Sequence, residues 1–254
     1  MSPIVTSIVV FILIGGAALA GIALRAALPE HHVADASKDT VVRAAGLVVT
    51  LTALVLGFMV GSAKSYYDEV QDKMKRIAAD AVVLDRSLAR FGPEAAEARQ
   101  LLRQTLGTAA RTLWPNHETR LPALEAGQPA IDGLERMQDL IHALPAGDDT
   151  QRSFKARAVQ SSLEIAREGW LLVELSQTRI QKPLVVIIVL WLVIIFLGFG
   201  LLAPPNRTAT ASLLLSALAA AGAIFLILEM YDPIGGLMRI PASTFEIPLE
   251  RVAR

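Results

Sequence analysis

The chain has 254 residues, 53% of them hydrophobic and only 19% charged, with 24 basic and 24 acidic side chains and a mean hydropathy of +0.48. A soluble domain carries about 25% charged residues, so the composition points to a membrane, and balanced charge without a basic patch excludes nucleic acid as a partner. The absence of cysteine excludes disulfides, thiolate metal sites and cysteine nucleophiles.

Four stretches reach the roughly 20 apolar residues needed to cross a bilayer. They are residues 4–28, 41–63, 184–203 and 209–230. The first contains the small run "ALA" at 18–20, which suits signal cleavage. It has no Lys or Arg ahead of its apolar run, however, and that run exceeds the about 7–15 residues of a signal core, so a retained helix is expected. The second has a face of small and hydroxyl residues, Gly46, Thr50, Ala53, Gly57 and Gly61, with Ser62 beside it. Small residues let membrane helices approach closely, which makes this either a packing face within the chain or the lining of a pathway in an oligomer. "AKSYYDE" follows. Lys64, Tyr66 and Tyr67 suit an interfacial belt, and a ring of Lys64 would attract anions.

Residues 64–182 separate the two membrane hairpins and contain no strand pattern. Val70, Met74, Ile77, Ala81, Leu84 and Leu88 alternate in steps of four and three, a heptad stripe that predicts helix two continuing past the membrane to "FGPE". There Gly92 and Pro93 end one helix and start the next. A helix over 93–113 carries Leu102, Leu106, Ala109 and Leu113. A loop with three prolines is expected over 114–130, then a short helix over 131–144. The last helix, 150–181, is assigned the stripe Val159, Leu163, Ala166, Trp170, Val173 and Ile180, and leads into Pro183. These stripes serve either an internal core or an oligomer seam.

Membrane segments three and four are separated only by "PPNRT", so a tight helical hairpin is expected. Glu229 and Asp232 stand where the fourth segment leaves the bilayer, and Pro233, Gly235 and Gly236 follow. An acid within a membrane faces protein or water, and at a helix C-terminus the dipole disfavours it. Glu229 is therefore a candidate for an ion pair with Arg179, Lys182 or Arg239, or for an ion pathway. Asp232 suits a cap. The tail, with Leu237, Met238, Ile240, Phe245, Ile247, Leu249 and Val252, reads as an interfacial segment or strap interrupted by Pro241 and Pro248.

The basic residues set the orientation. Lys64, Lys73, Lys75, Arg76, Arg167, Arg179, Lys182, Arg239, Arg251 and Arg254 outnumber Arg25, Lys38, Arg43 and Arg207 on the opposite side. The middle region and both termini are thus expected in the cytoplasm. His31 and His32, near Asp35 and Asp39, lack the spacing of a ligand set, and His117 and His142 lie apart. No metal or other cofactor is expected. No nucleophile elbow, zinc-protease, phosphate-loop or dinucleotide motif occurs, so no catalytic residue is assigned and the chain is not expected to be an enzyme.

"LVLGFMVGSAKSYYDE", "LDRSLARFGPEAAEARQLLR", "GLLAPPN" and "AIFLILEMYDPIGGLMRI" resemble, in this order, a bacterial family of four-helix membrane proteins labelled bestrophin-like. The resemblance spans about residues 51–238, and residues 223–238 are its most specific part. Bestrophins are oligomeric anion channels whose membrane helices continue into a cytoplasmic helical domain. The resemblance therefore implies that architecture in a homo-oligomer, with five subunits as a candidate number. No bestrophin pore motif is present residue for residue.

The expectation is an all-α membrane protein of the bacterial inner membrane. Residues 1–63 hold helices one and two, 64–182 a cytoplasmic helical domain, 183–230 the second hairpin and 231–254 a cytoplasmic tail. Its expected function is that of an ion channel or channel-like protein. Gly46, Thr50, Gly57, Gly61, Ser62 and Lys64 form the pathway or packing face, with Glu229 and Asp232 as ion-pathway or ion-pair candidates. The alternative is a membrane scaffold or sensor that binds a cytoplasmic partner through the helical domain. An enzyme would need a concave polar pocket near Glu229, Asp232 and Arg239.

Overall fold

The computed structural model describes residues 2–27, 35–113, 123–177, 182–241 and 243–244. Among these it contains seven α-helices and no strand: α1 (Pro3–Ala27), α2 (Asp35–Phe91), α3 (Ala96–Leu113), α4 (Ala123–Ala143), α5 (Asp149–Gln177), α6 (Lys182–Leu202) and α7 (Arg207–Met230), with a 3-10 turn at Pro93–Ala95. Four of them, α1, α2, α6 and α7, contain a stretch long and apolar enough to cross a membrane. The contacts divide the chain into two units. One comprises Met1–Tyr67, Ile180–Asp232 and Gly236–Met238, and the other Asp68–Arg179, Pro233–Gly235 and Arg239–Arg254.

In the first unit, α1 packs along α6 and α7. Gly21 and Gly200 set how closely α1 and α6 approach. A Cβ on Gly21 would collide with the Leu197 carbonyl, and one on Gly200 with the Ala18 carbonyl, so backbone meets backbone, as small residues permit in a bilayer. The core comprises Val10, Ile14 and Ala18 of α1, Met59 and Ala63 of α2, Ile188, Leu192, Ile195 and Phe196 of α6, and Ala217, Ala221, Ile224 and Ile227 of α7. The α6–α7 turn is closed at both helix ends. Arg25 donates to the Leu202 and Ala203 carbonyls (2.9 and 2.6 Å) that α6 leaves unpaired. Asn206 accepts the Ala209 N–H (2.7 Å) as the N-cap of α7.

In the second unit the whole heptad stripe expected on α2, from Val70 to Leu88, is buried. Here the stripe is internal core. The helix stops at Phe91, and Gly92, with φ +132°, turns the chain into Pro93. α3 packs on α4, and α4 on α5. Leu102 and Leu106 of α3 are buried and Ala109 half-buried. Arg99 of α3 grips the buried Asp85 of α2 with two hydrogen bonds, of 2.8 and 3.0 Å. Lys155 of α5 donates to the His142 and Leu144 carbonyls, both at 2.7 Å, and closes the end of α4.

Several expectations change. α2 runs as one helix of 57 residues, about 85 Å long, continuous as its stripe predicts, but it begins at Asp35, ahead of the apolar stretch that starts at residue 41. α4 begins at Ala123, so part of the expected proline loop is helix and Pro129 lies within it. The helix formers Leu124, Glu125, Ala126 and Ala130 flank that proline and sustain the helix across the one bond it removes. The larger change is the register of α5. Its buried side chains are Ala158, Ser161, Ser162, Ile165 and Glu168, while the stripe residues Leu163 and Trp170 are 55% and 53% exposed, so this stripe is not core within the chain. Heptad spacing identifies a stripe but not which side of the helix the fold covers. The α5–α6 junction at 178–181, His31, His32, His117 and the tail from Phe245 lie outside the described residues.

Candidate functional site

The membrane part of α2 has three faces. Thr52, Met59 and Ala63 are buried, with Val48, Leu56 and Val60 packed alongside; this side joins the bundle. Leu47, Leu51, Leu54 and Phe58, spaced by four, three and four, are exposed and bulky. Between these lies the small face, where Gly46, Thr50, Ala53, Gly57, Gly61 and Lys64 are all exposed. A Cβ added at Gly46, Gly57 or Gly61 meets nothing within 4 Å, so among the described residues these glycines do not serve packing within the chain. α2 also has the barest membrane window of the four helices, 11% buried against 33%, 28% and 22%. Thr50 donates to the Gly46 carbonyl (2.9 Å) of its own helix, which satisfies its hydroxyl proton and leaves its oxygen lone pairs on that face.

Among the described residues, the cavity enclosed between α2, α6 and α7 is small. The apolar cavity lined there by Leu56, Met59, Ile188, Ile224 and Ile227 measures about 10 Å³, at or below what one water needs.

At the end of α7 the boundary is built around Glu229, which is buried to 1% exposure. Its Oε1 accepts the N–H groups of Leu237 and Met238, the latter at 3.0 Å. The chain turns back through Asp232, whose carbonyl accepts the Gly236 N–H (3.2 Å). A Cβ on Gly236 would run into the Glu229 carboxylate, so glycine lets the turn close tightly on it. Backbone donors thus compensate an anion at the unfavourable end of a helix dipole. The sequence places Glu229 at the boundary but does not reveal these partners, because a loop N–H leaves no mark in residue identity. Of the basic partners expected for it, Arg239 is exposed, while Arg179 and the Lys182 side chain lie outside the described residues.

Tyr231, at the C-cap of α7, ties this turn to α2. Its ring stacks on Tyr66 with centroids 5.1 Å apart, and its hydroxyl lies 3.4 Å from the hydroxyl of Ser62. Lys64 stands over the Tyr67 ring at 5.8 Å. The structure therefore brings Ser62 to Tyr231, leaves the small face and Lys64 exposed, and buries Glu229 in a loop latch. The half-buried Asp232 joins the latch through its backbone. The link of Tyr231 to Ser62 was not read from the sequence, because it depends on helix packing. Among the described residues no group of three or more histidine, aspartate or glutamate side chains converges as a metal site.

A family model described as Bestrophin-like domain matches residues 12–245. Among solved structures, two of a bacterial bestrophin homologue from Klebsiella pneumoniae, each with one substitution, align with TM-scores of 0.73. One is 14% identical and covers 97% of each chain; the other is 15% identical and covers 98% of this chain and 99% of that one. A further membrane-protein structure aligns at TM-score 0.66 with 16% identity, over 83% of this chain and 86% of the other. At these identities the likeness is one of fold. No curated relative matches the chain.

Proposed function

Starting from a chain that belongs to the Bestrophin-like family, we propose that it assembles as a homo-oligomer and conducts ions along an axis lined by the small face of α2. The observation that carries this reading is the exposed row Gly46, Thr50, Ala53, Gly57 and Gly61, in which a Cβ added at any of the three glycines meets nothing within 4 Å among the described residues. Such a face suits close approach of a second copy or contact with water and ions. The small cavity inside the bundle supports an axis between protomers over a path within one. The exposed Leu163 and Trp170 give α5 an apolar strip that a neighbouring copy would cover, and five subunits are the candidate number. Lys64, exposed where this face ends, favours anions. The setting we propose is the bacterial inner membrane, with the termini and residues 64–182 in the cytoplasm.

The test is ionic current from the purified full-length protein in planar bilayers. Lys64→Glu is expected to move the reversal potential toward cations in a salt gradient. Persistent absence of current from an intact oligomer would sink the reading. A second reading, a membrane scaffold or sensor, draws on the same exposed Trp170. It expects Trp170→Ser to release a cytoplasmic partner while leaving the oligomer intact, whereas the channel reading expects the oligomer itself to weaken.

A further inference from the structure

The inward face of α5 mixes the apolar Ala158 and Ile165 with polar side chains. Ser161, Ser162 and Glu168 are buried there, and Glu168 faces the charged side of α2. Its Oε2 accepts from Lys73 Nζ at 3.2 Å, and its Oε1 lies 3.8 Å from Arg76 Nη1. Further, more exposed pairs flank this contact along each helix. Lys73 lies 3.8 Å from Glu69, and Arg167 lies 4.0 Å from Glu164. Asp80, one turn beyond Arg76 on the same side of α2, is half-buried. The seam then holds Glu69, Lys73, Arg76 and Asp80 from α2, and Glu164, Arg167 and Glu168 from α5. That is four acids against three bases, and among the described residues no cation lies within ion-pair distance of Asp80.

We propose that this α2–α5 seam is a proton-sensitive switch, in which a proton taken up at Asp80 removes the surplus negative charge and tightens the two helices. Burial, then the facing Glu164 and Glu168, raise the Asp80 carboxyl above its ordinary value, against the opposing pull of Arg76. The sign follows from linkage. The closed seam has the higher affinity for the proton, so proton binding favours the closed form, and the seam loosens as pH rises through the Asp80 titration. The closed-to-open ratio changes by at most about tenfold for each pH unit separating that titration in the two forms. The switch acts on α2, the helix that also carries the small face. Its effect on flux rests on the pathway reading above; the seam's own response to pH does not.

The experiment is hydrogen exchange of the full-length protein in lipid nanodiscs at pH 5 and pH 8, corrected for intrinsic exchange rates and read on peptides from residues 68–91 and 149–177. The wild type is expected to exchange several-fold more slowly at pH 5. Asp80→Asn, which carries no charge at either pH, is expected to hold the slow rate throughout. Glu164→Gln removes one of the facing charges and is expected to move the transition to lower pH. Equal corrected rates at both pH values in the wild type, or a pH response in Asp80→Asn matching the wild type, would overturn the switch. If Asp80→Asn fails to fold, the Glu164→Gln shift decides: a displaced transition supports the switch and an unmoved one overturns it. Current recorded over the same pH range tests the link to flux separately, since a protein that never conducts defeats the pathway reading and leaves the exchange result standing.

Discussion

In the first part of α2, Gly46, Thr50, Gly57 and Gly61 stay exposed, whereas further along the same helix Met74, Ala81, Leu84 and Leu88 are almost completely buried. Both rows keep to the helical period, and only their side chains differ. In water, a large apolar stripe gains free energy from any surface that covers it, so the second row finds a core within the chain. In a bilayer the lipid is as apolar as leucine, so a row of glycines gains nothing from lipid and only a close neighbour or an aqueous path explains it. Exposure therefore means different things in the two regions.

The largest expected effect tests the bare row. Gly57→Phe adds bulk at a position where, among the described residues, an added Cβ meets nothing within 4 Å. The fold of a single chain is expected to survive, with an unchanged helical circular dichroism spectrum, while ionic current falls to background. Normal current in that variant would remove Gly57 from the pathway. The buried row is tested by Leu84→Ala, expected to cost about 2–5 kcal/mol through the cavity it leaves, against less than about 0.5 kcal/mol for Leu54→Ala on the exposed side. Denaturant titration of both variants in one detergent would read the contrast, and equal costs would erase it.

Glu229→Gln is intermediate. It keeps an oxygen for the Leu237 and Met238 N–H groups but loses charge-assisted strength, so about 1.5–3 kcal/mol of stability is expected to go, with ion selectivity unchanged. A shift in reversal potential would return Glu229 to the pathway. The smallest effect is expected at Asp80. Its raised titration makes the charged form a cost above that pH. Asp80→Asn is therefore expected to raise the melting temperature slightly at pH 8, and the gain is expected to disappear as pH falls toward the ordinary carboxylate range. A gain that grew on acidification would contradict the sign.

Much of this was legible beforehand. The four apolar segments, the break at Gly92 and Pro93, the buried stripe from Val70 to Leu88 and the continuation of α2 beyond the membrane all follow from local pattern. The α5 stripe was legible as a stripe but not as an outward one. Its inward side is held by Glu168 with Lys73 of α2 and by packing on α4, and periodicity carries no information about which neighbour arrives. Glu229 was conspicuous by position, yet its partners are two backbone N–H groups eight and nine residues further on.

The sequence by itself determined that this chain is helical, where it meets hydrocarbon and where its helices stop, because hydrophobic period, span length and glycine–proline breaks act over one or two turns. Only the tertiary structure decided which face of each helix is covered. It left the glycines of α2 bare, turned Trp170 outward and closed a loop over Glu229. Burial is a property of what packs opposite, and that is settled by residues far away in the chain.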